Sequence, residues 1–225
     1  MANASTTGFG FVPVMNLGNT PATSGESKYK IKTGLGIAIV QNDPVSLQSS
    51  VGDEGYVQDA SPATCDDGST GGASYDVDTS PVLTGPLIGV FNGAFYIANT
   101  TNKPTWANNV AASTTFAANP NTDGNSTDGF AFVNDNPFQE YLCKADLAVT
   151  ILMTGRRMNC NNNTLSDAKS GQSVVTLNIT ADDNGFMWRL LRSAEDPENN
   201  DVSAVGCNVI VVGSARANLF TESHT

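Results

Sequence analysis

Apolar and polar residues alternate with a period of two through several short stretches of this chain, and no stretch sustains the 3.6-residue period of a helix. Lys28, Lys30 and Lys32 interleave with Tyr29 and Ile31, and Thr33-Gly34 supplies a turn. Residues 35–40 read as the next strand, which Asn42-Asp43-Pro44 turns into Val45-Ser46-Leu47. "GPLIGVFNGAFY" (85–96) is apolar on both faces, as a buried strand is. Its Asn92-Gly93 pair is also the dipeptide of tight hairpins. The turn-forming "NTTNKP" just downstream makes a continuous strand the expectation, with a bulge as the variant. Gly89 and Gly93 then flank Phe91 on one face and leave room for a close neighbour.

"GFAFVNDNPFQEYLCKADLAVTIL" resumes strand character, with Phe130, Phe132 and Phe138 as anchors. "SVVTLNITA" alternates, "AVGCNVIVVGSA" reads as the final strand, and "FMWRLLRSAEDPENN" suits a strand or a short helix. Residues 1–27 read as an extended N-terminal arm around a GFGFVPV island. Long polar loops are expected at 49–81 and 108–129, with another at about 155–172. No internal repeat is present. About eight strands with long connections predict an all-β fold, a β-barrel or β-sandwich, formed by a single β-rich domain over 28–225.

Composition agrees with that pattern. A chain of 225 residues rich in Gly, Ser, Thr and Asn favours short strands and turns, and is long enough to bury a core without metals or disulfides. Eleven basic residues face twenty-two acidic ones, a formal net charge of −11, which argues against nucleic acid as a partner. Between Lys32 and Lys144 the one basic residue is Lys103, while twelve acidic residues fall there. The acidic middle is either a solvated surface that resists aggregation or the outward side of a protein whose basic ends meet an acidic neighbour.

"MANASTTGFGF" lacks the basic start and apolar run of a secretion signal, and no segment approaches the roughly 20 apolar residues of a membrane helix. The expectation is a chain made and kept in a reducing cytoplasm, with no membrane partner. Cys143 and Cys207 lie in strand-like runs and read as buried small hydrophobes, whereas Cys65 and Cys160 fall in polar stretches and read as free thiols.

Candidate chemistry is sparse. The one histidine, His224, sits in the terminal segment, where an imidazole lacks the rigid neighbours that triads need. "SDAK" (166–169) matches S-x-x-K formally but lacks the companion motifs. Paired carboxylates for glycoside hydrolysis are available in any chain this acidic, and nothing singles out a pair. "NPNTDGNSTDGF" (119–130) and "ADDNGF" (181–186) resemble calcium loops loosely, without the bidentate Glu at the expected place. No catalytic residue, no metal site and no cofactor is expected.

Five segments occurring in order carry a resemblance: "MANASTTGFGFVPV", "YKIKTGLGIAIVQNDPV", "GPLIGVFNGAFY", "AFVNDNPFQEYLCKAD" and "RLLRSAEDPENN". Together they resemble an accessory virion-protein family of tailed, marine-type bacteriophages, the capsid decoration or cement proteins. Where that family leads one to expect Gln-Ala-Asp after "FQEY", this chain has Cys143-Lys144-Ala145-Asp146. The resemblance implies a non-enzymatic protein on the outer surface of a phage head, made in the host cytoplasm, that bridges major capsid protein subunits. Homo-oligomers or neighbouring copies are implied too. On that reading the arm anchors through Phe9 and Phe11, and Lys28, Lys30 and Lys32 meet an acidic capsid surface. The alternative from another class is a virion-surface or extracellular adhesin, a carbohydrate-binding β-module, with calcium as an option. A two-carboxylate hydrolase is the third.

Overall fold

A computed structural model describes residues 3–18, 20–21, 25–48, 53, 55–60, 87–120, 127–161, 171–179 and 187–214. Its regular structure is nearly all antiparallel strand. In chain order the strands are β1 (Val12–Asn16), β2 (Thr20–Pro21), β3 (Ser27–Ile31), β4 (Ile39–Val40) and β5 (Pro44–Leu47). They continue with β6 (Val57–Asp59), β7 (Leu87–Ala98), β8 (Lys103–Ala107), β9 (Asn109–Val110) and β10 (Gly129–Asn134). The last are β11 (Gln139–Lys144), β12 (Arg157–Cys160), β13 (Leu177–Asn178), β14 (Trp188–Ser193) and β15 (Asn208–Gly213).

Two large sheets carry the fold. One has the order β13-β12-β14-β15-β11-β1-β2, the other β3-β10-β7-β5-β6, with β8 also paired to β7. The short pair β4-β9 forms a two-stranded ladder of its own. Among the described residues the sheets do not close into a barrel, so the barrel alternative is dropped and the all-β class stands.

β7 is the longest strand and runs straight through Asn92-Gly93. Its first half pairs β5, its second half pairs β8, and β10 lies along its other side. The register against β10 slips between Phe132 and Val133, which pair with Gly93 and Phe91, so Asn92 is the extra residue of a bulge. The bulge resets the alternation. Phe91 points into the core with Ile88 and Ala94, whereas Phe95 emerges on the outer face. The expectation that Gly89 and Gly93 flank one ring on one face is thereby corrected. A Cβ on Gly89 (φ +152°) would lie 2.0 Å from the Asn134 carbonyl oxygen, so this glycine admits the chain between β10 and β11.

Two apolar cores form. The larger joins Phe11, Tyr141, Met158, Trp188, Leu190 and Val211 to Leu87 and Val90 of β7, and so ties the sheets together. The smaller packs Ile31, Ile39, Val45, Phe91, Val110 and Val133 beneath Phe116.

Several expectations change. Residues 3–18 are no free arm. β1 pairs β11, and the chain before it lies against the body of the domain. The stretch 108–129 is not a bare loop, because β9 lies in it and Phe116 stacks on Tyr96 at 4.5 Å. Cys160 ends strand β12 fully buried, with Met158 and Asn159 inside, since β14 and β13 cover both of its edges. Residues 188–193 form a strand, not a helix, and Phe138 is an exposed turn residue instead of an anchor. Most of the loop expected at 49–81 lies outside the described residues.

Candidate functional site

The outer face of the β3-β10-β7-β8 sheet is aromatic. Strand register sets Trp106 opposite Phe95, Phe95 opposite Phe130, and Phe130 opposite Lys30, in one row across four strands. In the next row Phe132 faces Gly93. With no side chain on Gly93, the Trp106 indole reaches across to stack on Phe132, centroids 5.3 Å apart and planes 22° apart. Trp106 also tilts against Phe95 at 4.8 Å, and the Lys28 ammonium sits 4.1 Å above the Phe130 ring. Despite these contacts Trp106 keeps 70% of its surface in solvent.

A groove of about 470 Å³ opens beside this indole, between Trp106, Phe132 and the backbone of Gly93 and Ala94. Polar groups rim it. Asn92, thrust outward by the bulge, accepts from the Gln41 side-chain amide at 2.8 Å and donates to Glu26. Asn108, just past the end of β8, lines the groove as well. A Cβ on Gly171 would come within 2.5 Å of the Asn108 amide, so the turn at Gly171 packs tightly against that side chain.

A second exposed surface lies on the loops beside β14. Ile151 and Leu152, in the 3-10 turn Ile151–Met153, are 85% and 75% exposed. The Val149 amide donates to the Val202 carbonyl and brings the loop carrying Val202 and Val205 alongside. Ile151, Leu190 and Val202 line a cleft of about 350 Å³ between them. Exposed apolar residues grouped in this way mark contact surfaces.

The N-terminal segment ends against the same loops. Asn3 donates to the carbonyls of Asp201 and Val205 and accepts from the Asp201 amide, all at 3.0 Å. Lys144, buried at the end of β11, donates to the carbonyls of Ser5 and Gly206. Burial pulls its ammonium below the usual lysine range, while nearby Asp196 works in the opposite sense. Lys144 thus clamps the N-terminal segment to the end of β11. Gly8 and Gly10 are small because the backbone passes against Val174, Val175 and Ser173.

The five residues expected to bind a partner are not brought together. Phe11 is fully buried and stacks face to face on Trp188 (4.2 Å, 11°), so it anchors this chain's own core and is unavailable to a neighbour. Phe9 is half-buried beneath the Lys144 ammonium. Lys28 and Lys30 are exposed on β3, over Phe130 and 3.9 Å from Asp128 respectively, and Lys32 pairs with Asp53. The aromatic row was hidden from sequence reading because its members come from three strands whose register no local pattern specifies.

Burial and neighbouring carboxylates shift several titratable groups. Burial pushes Asp59 up to about 6 and raises the Cys143 and Cys160 thiols. Tyr29 and Tyr56 donate to Asp135 and Asp128, and both phenols are raised. The described residues hold no cluster of three or more metal-ligating side chains, and no helix among them is long and apolar enough to cross a membrane. His224, residues 166–169, residues 121–126 of one calcium-like stretch and all of the other (181–186) lie outside the described residues. No family model matches the chain, and no curated protein or solved structure gives a significant match.

Proposed function

We propose that this chain is a non-enzymatic virion structural protein that decorates the outer surface of a phage head and stabilises it by bridging major capsid subunits. The observation that carries the reading is the exposed apolar surface of Ile151, Leu152, Val202 and Val205, set next to the docked N-terminal segment. A rigid β-domain holds these side chains in water. Contact with a neighbouring protein would remove them from it, at about 25 cal/mol per Å² of apolar area. The five segments that resemble phage accessory virion proteins agree with this. They fall on residues 3–14, β3 to β5, β7, β10 to β11, and β14 with the following turn, which form the scaffold that carries the patch. Stabilisation follows from mass action, because a protein that binds the assembled shell and not its separated subunits shifts the balance toward the shell.

Co-sedimentation of the purified chain with expanded and unexpanded heads lacking it tests the reading. Saturable binding to expanded heads is expected, weakened by Ile151→Asp and Leu152→Asp with the fold intact. Failure to co-sediment with either form overturns it. The carbohydrate-binding alternative has an observation of its own, the aromatic groove.

A further inference from the structure

We propose that the groove between Trp106, Phe132, Asn92 and Asn108 is a saccharide-binding site, separate from the surface assigned to the capsid. Sugars present two chemistries at once, an apolar C–H face and a rim of hydroxyls that both donate and accept. The groove offers the complement of each. The open face of Trp106, held by Phe132 and Phe95 behind it, is a flat apolar platform fixed before any ligand arrives. Asn92, Asn108 and Glu26 line the same groove with amide and carboxylate groups suited to hydroxyls. Its volume, about 470 Å³, falls within the range of small-ligand sites.

Other ligands fit worse. An extended peptide adding to the sheet would need the edge of β8 that no strand among the described residues pairs, where Pro104 has no N–H to donate and Lys103 is a charge typical of guarded edges. A nucleic acid would bring phosphates to Glu26 and to a chain of net charge −11. A quaternary ammonium wants rings set as walls around it. Here Trp106 and Phe132 lie within 22° of parallel, and the Lys28 ammonium already occupies the neighbouring Phe130 face. The site was built by three local events. The Asn92 bulge turns an amide outward, Gly93 leaves a gap in the row, and Trp106 fills part of it.

Binding of the intact protein to a printed oligosaccharide array, followed by calorimetric titration of the best soluble hit, with tryptophan quenching of the parent as a second readout, tests the proposal. The expected result is binding to one class of saccharide, weakened about tenfold or more by Trp106→Ala. Asn108→Ala should weaken it by a smaller factor. Buried Trp188 reports that both variants remain folded. Absence of any array binding overturns the proposal. So does binding that both variants retain, or quenching by tetramethylammonium at lower concentration than by any sugar. Head co-sedimentation by Trp106→Ala should equal that of the parent, so the two proposals fail separately.

Discussion

Replacing Phe11 by alanine asks whether the first residues belong to the folded domain or merely lie on it. The ring has no exposed surface, and it is stacked on Trp188, itself fully buried. Removing a buried phenyl ring typically costs about 3–5 kcal/mol. A stacked aromatic pair adds about 0.5–1.5 kcal/mol beyond its area. A loss of about 4–5 kcal/mol is therefore expected, a large part of the roughly 5–15 kcal/mol that holds a domain together. Phe9→Ala, on a half-buried ring 5.8 Å from the Lys144 ammonium, should cost about 1 kcal/mol. Urea unfolding followed by far-ultraviolet dichroism measures both, free of the change that Phe11→Ala itself makes in Trp188 emission. A Phe11 loss below about 1 kcal/mol at an unchanged denaturant slope would refute the reasoning, since the ring would then contribute nothing to the core. Deleting residues 1–27 would unfold the protein by the same argument, because it removes β1 as well, and would say nothing about capsid binding.

Three further outcomes follow from the structure. Asp59 is raised by burial from 3.8 to about 6. Its ionisation therefore opposes folding as pH climbs from about 4 through 6, by about 3 kcal/mol in full. Asp59→Asn should raise stability at pH 7.5 but not at pH 4, and an equal gain at both pH values would contradict the burial account. Gly89→Ala should cost about 3 kcal/mol or more in a denaturant titration, because its Cβ meets a backbone oxygen that has nowhere to go. Iodide should quench one of the two tryptophans and spare the other, and Trp106→Phe should abolish the quenchable fraction.

Strands whose two faces differ in polarity were readable. β3, with lysines out and Tyr29 and Ile31 in, and β10, with Ala131 and Val133 in, follow alternation directly. β15 was readable for the opposite reason, being apolar on both faces from Val209 to Val212. β12 was missed because Arg157, Asn159 and the following asparagines look like a loop, and only its neighbours make it a buried strand. The role of "GFGF" was misread for a related reason. Its glycines signal an unstructured arm by composition, whereas they serve close passage of the chain past Val174 and Ser173. The candidate groove depended on a one-residue slip in register, which changes the facing of every side chain beyond it and leaves no trace in periodicity.

The clasp between Asn3 and the Asp201–Val205 loop has a consequence for how the protein is made. Its partners are about 200 positions apart in the chain. A ribosome adding about 5–20 residues per second delivers the loop some 10–40 seconds after Asn3 has emerged. For about the first two-thirds of that interval β1 has no β11 to pair with, and Phe11 lacks its Trp188 partner for most of the remainder, so the nascent chain carries an unstacked aromatic until Trp188 has been made. Fast early folding is therefore closed to this topology.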